Sequence, residues 1–359
     1  KIFILRDKIL LKEGEAQSRI FKHPEIVENN NAKDPPLRIG VIKLPSFYVD
    51  FNDRRNNPKN YKSSSRDVKF LLEKFVDENV DGVILDLRSN GGGGLDEAIN
   101  MAGLFIGLNP VVIVRQSGGR RVTVHRSRER VVYNGPLVIM LNRYSASASE
   151  ILAGAMHDYQ RALLVGDTTT FGKGTVQNIF QLPEGYGALK VTIAQFYRVS
   201  GWSTQNRGVE SSIVIPSLNN VREIGESTLD NALPWRSIDQ VSFRPKGNFN
   251  IFLPTLKKLS EKRMKDSEYF QNVDKDMKEY LTSIKPLKYS SILKMQEDDS
   301  RRKAERDFEI LNADKKQTGI NSAEEFPEED SEKEFETDNY INESMSILLD
   351  YIKLQQQSN

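Results

Sequence analysis

The sequence predicts an α/β fold built on a mainly parallel sheet, followed by a charged, helical C-terminal region. Three observations carry this. Two runs, VDGVILDL at 80–87 and PLVIMLN at 136–142, are nearly continuous in apolar residues and of strand length, as strands buried on both faces are. Stretches with helical apolar spacing lie between such runs, and repeated strand–helix–strand order implies parallel crossovers. Beyond about residue 230 the pattern changes to charged segments of helical period.

Taken in order, residues 1–11 open strand-like, with Ile2, Phe3, Ile4 and Leu5 in a row. The chain starts at Lys1 without a signal peptide, so it is expected to be part of a longer protein. Residues 12–36 are polar, are broken by Pro24, Pro35 and Pro36, and read as a linker. A strand is predicted over 38–44. Over 65–79, Val68, Leu71, Leu72 and Phe75 recur at helical spacing, and Ser64 followed by Asp67 resembles a capping box at the start. After a glycine run, 95–105 is a second predicted helix. Residues 111–115 and 121–125 read as a hairpin around Gly118-Gly119. The strand at 136–142 leads to an Ala- and Gly-rich helix over 150–159. A short strand follows at 162–165 and a longer, alternating one at 189–199. Helical patterns occupy 260–283, 299–311 and 340–354. Between the last two, residues 324–338 hold nine acidic residues and one Lys, a solvated or disordered linker. The expected division is a strand and linker over 1–35, a core over 36–220 and a mainly helical C-terminal domain over 221–359.

Composition narrows the function. The 359 residues are 38% hydrophobic and 28% charged, with net charge +1, so charge gives no case for nucleic acid or acidic membranes. No cysteine is present, which excludes disulfides and thiolate metal sites. The longest apolar runs fall far short of the ~20 residues of a membrane-spanning helix, so no transmembrane segment is expected. The three histidines, His23, His125 and His157, are scattered and lack zinc-site spacing, so no metal or cofactor is predicted.

Three segments could carry chemistry. DLRSNGGGG at 86–94 follows a buried strand, and its glycines allow a ligand close to backbone N–H groups, or simply a tight turn. It fails as a dinucleotide fingerprint because Asp96 stands where the third glycine belongs. NRYSASASE at 142–150 spans the end of a strand and the start of a helix. A hydroxyl there faces unpaired N–H groups at the positive end of the helix dipole, although on this segment alone plain N-cap serines are the favoured reading. TFGKGTVQ at 170–177 nearly forms a phosphate loop. Five residues separate Gly166 from Gly172-Lys173 instead of four, and Gly174 replaces the magnesium-binding hydroxyl.

Together these segments resemble the carboxyl-terminal processing peptidases, or tail-specific proteases, a serine–lysine family. The likeness includes LRDK at 5–8, DLRSNGGG at 86–93, SASASEI at 145–151, RALLVG at 161–166, FGKGTVQ at 171–177 and DNALPW at 230–235. It covers nearly the whole chain, charged C-terminal region included, and is nearest the large periplasmic forms of Gram-negative bacteria. The resemblance implies a crotonase-like core with Ser147 as nucleophile, Lys173 as general base and Gln177 orienting the lysine. It implies oxyanion donors at Ala148 N–H and at Gly91 or Gly92. It further implies an upstream PDZ module, periplasmic location, polypeptide substrates with apolar C-termini and, in some relatives, a lipoprotein adaptor.

Two departures stand out in the loop Gly166-Asp-Thr-Thr-Thr-Phe-Gly-Lys173: one residue is inserted and the family's usual proline is missing, so the loop is expected to bulge. A rival triad of Ser147, His157 and Asp158 fails on geometry. Ten residues along a helix place His157 ~15 Å from the serine. Asp158 is instead expected to pair with Arg161. An α/β esterase would need G-x-S-x-G, which SASAS is not. A non-catalytic peptide-binding relative is the remaining alternative, with intact Ser147, Lys173 and Gln177 against it. Thr192 and the residues up to Val199 are candidates for the cleft wall, while Phe196, Tyr197 and Trp202 suit core packing equally well.

Overall fold

The computed structural model describes residues 14–22, 37–57, 61–119, 121–183, 185–283 and 337–358. The predicted strand at 1–11 and helix at 299–311 lie outside them, as does almost all of the acidic stretch. The described residues up to 273, together with 337–358, belong to one compact unit. Of a second unit, 274–334, the described part is 274–283.

A six-stranded sheet organises the main unit. It comprises β1 (Gln17–Lys22), β2 (Arg38–Lys43), β3 (Gly82–Asp86), β6 (Leu137–Leu141), β7 (Leu163–Gly166) and β10 (Ile213–Val214), in spatial order β1-β2-β3-β6-β7-β10. The β1–β2 pair is antiparallel and the others are parallel. β1 falls inside the stretch expected to be a linker. Its polar residues are legible only as an edge strand, because just one face of it is covered.

Strand alternation divides the core in two. Leu85, Ile139 and Leu164 point to one face, against α2 (Ser64–Asp77), α3 (Leu95–Ile106) and α4 (Ala148–Asp158). Ile84, Val138 and Val165 point to the other, against α5 (Leu253–Asp266) and α7 (Asn339–Ser358). α7 buries Ile341, Met345, Ile347, Leu348, Leu349 and Ile352 there. At about 1.5–3 kcal/mol for each fully buried side chain, α7 is a substantial part of the core. The central strands are therefore covered on both sides, which is why they lack polar alternation.

The predicted hairpin is real but belongs to a second, antiparallel sheet in the order β5-β4-β9-β8. It joins β4 (Pro110–Gln116) and β5 (Val122–Arg126) to β8 (Thr175–Gln181) and β9 (Ala188–Tyr197). β8 was hidden in the sequence because its side chains from Gln177 to Gln181 are exposed. The helical stretch at 260–283 is two helices, α5 and α6 (Glu268–Ser283), broken at Ser267. The start of α2 also differs from expectation. Ser63, not Ser64, is the N-cap, and Glu97 accepts hydrogen bonds from Ser63 Oγ, Ser64 Oγ and Ser65 N–H. A short helix, α1 (Phe51–Asn56), precedes it.

Candidate active site

The parallel strands end at one edge, and the three motif segments meet beyond it. Ser147 is the N-cap of α4 with φ 57° and ψ −109°, a left-handed backbone that a non-glycine residue holds at a cost of roughly 1–3 kcal/mol. Its surroundings impose that geometry. Ser145 Oγ donates to Leu87 O at 2.9 Å, Ala146 N–H to Asn90 O at 3.0 Å, and Ser149 Oγ to Asn90 O at 2.8 Å. Both flanking serines are fully buried anchors, whereas Ser147 is half-buried and opens onto a cleft of about 210 Å³.

Lys173, Thr175, Gln177 and Phe196 line the same cleft, with Gly91, Gly93, Leu95, Ala148 and Ile151. The Lys173 amine donates to Gln177 Oε1 at 3.2 Å and forms no hydrogen bond to Ser147 among the described residues. Burial, reinforced by the positive charge of Lys190, pushes the lysine pKa below its ordinary value against opposing pulls from Glu226 and Glu150. A neutral amine is thereby made accessible closer to physiological pH.

Glu150 ties the two segments together. It is fully buried at N3 of α4. Its Oε2 accepts Ser147 N–H at 2.8 Å and Lys173 N–H at 2.9 Å, and its Oε1 accepts Thr170 Oγ1–H at 2.6 Å and Gly172 N–H at 2.7 Å. Burial pushes its pKa up to about 7, with the four donors pulling the other way. No role for Glu150 follows from the motifs that mark Ser147 and Lys173. Its signal was the spacing Ser147-x-x-Glu150, a capping box. Held this way, and with Phe171 N–H bonded to Ser145 O at 3.0 Å, the loop bearing the inserted residue is pinned against α4.

The glycine loop needs a correction. Gly92 N–H, expected among the oxyanion donors, is already given to Asn90 Oδ1 at 2.9 Å. Gly92 is required for space instead. At φ 106°, a Cβ there would sit 2.8 Å from Ser147 Cβ and 2.9 Å from Ala146 O. Gly91 and Gly93 line the cleft, and no hydrogen bond among the described residues uses their N–H groups or that of Ala148. Gly93 was absent from the expected donor set, since four consecutive glycines give no register.

Several other expectations change. Asp158 pairs with Arg198 and accepts from Ser200 Oγ, while Arg161 donates to the carbonyls of Phe105 and Tyr133. His157 is held by the same Arg198, away from the cleft. Phe196 and Tyr197 are buried, but Trp202 is 58% exposed, stacked edge-on against Trp235. Among the described residues no cluster of three His, Asp or Glu could hold a metal, and no helix is long and apolar enough to cross a membrane.

A model for peptidase family S41 matches residues 38–215, the segment that supplies the cleft, and one for the C-terminal domain of tail specific protease matches 220–353. The chain belongs to peptidase family S41. It is 40% identical to the tail-specific protease of Haemophilus influenzae over 280 residues, 75% of this chain and 36% of that protein. It is 40% identical over 162 residues to a carboxyl-terminal-processing protease of Synechocystis, 45% of this chain and 34% of that protein. Among solved structures, the photosystem II D1 C-terminal processing protease aligns at 26% identity with TM-score 0.45, covering 56% of this chain and 48% of that one. The chain thus spans about a third of the length of the curated relatives named here.

Proposed function

We propose that this chain is the catalytic portion of a serine endopeptidase in which Ser147 and Lys173 form the reacting pair. The observation that carries the reading is one cleft holding a strained, half-buried serine at a helix N-terminus and a desolvated lysine. Rotation of the lysine side chain from Gln177 toward Ser147 is the movement the chemistry requires. Neutral Lys173 Nζ takes the Ser147 proton as Oγ bonds to the scissile carbonyl carbon. The oxyanion is met by Ala148 N–H and by Gly91 or Gly93 N–H, preorganised donors at the positive end of α4. The lysine then returns the proton to the leaving amine, the C–N bond breaks, and water hydrolyses the remaining acyl ester by the reverse sequence. Gln177 Oε1 orients the amine.

Leu95, Ile151, Val176 and Phe196 give the cleft an apolar wall, which supports polypeptides with apolar C-terminal tails as substrates. The likeness to tail-specific proteases supports periplasmic location, a lipoprotein adaptor in the manner of some relatives, and a working division at 1–35, 36–220 and 221–359. Ser147→Ala and Lys173→Ala each abolish cleavage of an unstructured polypeptide with an apolar tail while circular dichroism and melting stay near those of the unsubstituted chain. Undiminished cleavage by Lys173→Ala rules out the scheme. An unsubstituted chain that binds such peptides without cutting them is a binding relative instead.

A further inference from the structure

The serine–lysine scheme gives one cation of the cleft no contact with substrate, only an influence on the Lys173 amine. Lys190 lies on β9 and lines the same cavity as Ser147, Lys173 and Gln177. In the β8–β9 ribbon Gln177 is paired with Thr192, and Ile179 with Lys190. Lys190 is therefore the diagonal neighbour of Gln177 on one face, a spacing of ~7–8 Å that long side chains span. Since Gln177 Oε1 accepts from Lys173, two amines flank one amide.

Nothing described in the cleft neutralises the second amine. The described lining contains no carboxylate, and Lys190 forms no ion pair among the described residues. Glu150 lies behind the wall with both oxygens occupied by four donors. Glu226, which acts on Lys173, is not part of the lining and accepts from Gln205 Nε2. A cleft that sets the exposed Lys190 ammonium at its mouth beside the Lys173 amine, with no lining anion, favours a ligand that brings negative charge.

The chemistry indicates where that charge sits on a substrate. Lys173 delivers a proton to the leaving amine, so the departing C-terminal segment lies on the lysine side of Ser147. Lys190 flanks that side. An apolar tail carries one charge there by necessity, the α-carboxylate at its end. We propose that Lys190 binds the α-carboxylate of the departing segment, so that short C-terminal fragments are selected by their free acid. This rests on the serine–lysine reading above.

The test uses one quenched-fluorescence peptide series with departing segments of graded length, each made as free acid, as C-terminal amide, and as amide with Glu at the last position. With the 359-residue chain, the best free acid exceeds its amide by about tenfold in kcat/KM, mostly through KM, as for one charge-assisted hydrogen bond. Lys190→Met, which keeps the stem, brings that ratio close to one, and Lys190→Arg retains most of it. The same ratio is read without turnover as peptide affinity in the Ser147→Ala chain, with and without Lys190→Met. Binding discrimination without any cleavage therefore refutes the peptidase scheme while sustaining the carboxylate site. The proposal is overturned by equal use and equal binding of acid and amide, or by a preference that survives Lys190→Met. It is overturned too if the Glu amide matches the free acid, which makes Lys190 a reader of side chains. An equal loss for acid and amide with a displaced pH profile also overturns it, since Lys190 then acts only on Lys173.

Discussion

Replacing Glu150 by Gln tests whether one buried carboxylate holds the nucleophile and the base in register. Its two oxygens accept four hydrogen bonds, from Ser147 N–H, Lys173 N–H, Thr170 Oγ1–H and Gly172 N–H, at 2.6 to 2.9 Å. An amide of the same shape has one acceptor oxygen. The least costly arrangement keeps that oxygen on Ser147 and Lys173 and turns the NH₂ toward Thr170, whose hydroxyl can accept. Gly172 N–H then loses its acceptor, and a buried unsatisfied donor costs about 1–3 kcal/mol. The expected outcome is a folded chain with an unfolding midpoint lowered by a few degrees, at about 2–4 °C per kcal/mol. Displacement of the lysine loop by ~1 Å is enough to reduce kcat by about 100-fold. Glu150→Ala is less informative. It orphans all four donors, a loss of order 4–12 kcal/mol that rivals the stability of a whole domain. The assay pairs urea denaturation with steady-state peptide cleavage. A Glu150→Gln chain with unchanged midpoint and unchanged kcat refutes the idea that this carboxylate sets the geometry.

Two further outcomes follow from the same site. Because burial and Lys190 lower the Lys173 pKa, the competent neutral amine is gained as pH rises: kcat/KM should climb tenfold per pH unit and level off below the ordinary lysine value of 10.5. A profile still rising at that value means the lysine is not desolvated in the working state. Among the glycines, Gly92→Ala should lose most activity and some stability, since its Cβ would press on Ser147 and Ala146 O, whereas a Cβ at Gly91 meets nothing within 4 Å and Gly91→Ala should melt normally. Thermal melts with cleavage rates read both variants, and a fully active Gly92→Ala removes the close-approach argument.

The strands buried on both faces were readable because double burial leaves an uninterrupted apolar run, as in β3 and β6. Helices α2 and α4 announced themselves by period and by small residues. Elements with little buried surface did not. β1 and the outer part of β8 are mostly polar or exposed, so nothing in their local chemistry separates them from loops. At the site, Ser147, Lys173 and Gln177 were legible as family motifs. The donor register in the glycine loop was not, because it depends on Asn90 capturing the Gly92 N–H. Asp158 likewise met Arg198, a residue forty positions away, rather than the nearer Arg161.

By itself, the sequence determined local matters: which segments could be strand or helix, that cysteine chemistry was absent, and which hydroxyl, amine and amide were candidates for reaction. Tertiary structure decided what anchors the serines on either side of Ser147, what Glu150 binds and which cation stands beside Lys173. Those choices are made by contacts between segments distant in the chain. A buried polar atom takes its partner from whatever the packed layers bring within hydrogen-bonding reach, and no local pattern of residues encodes that.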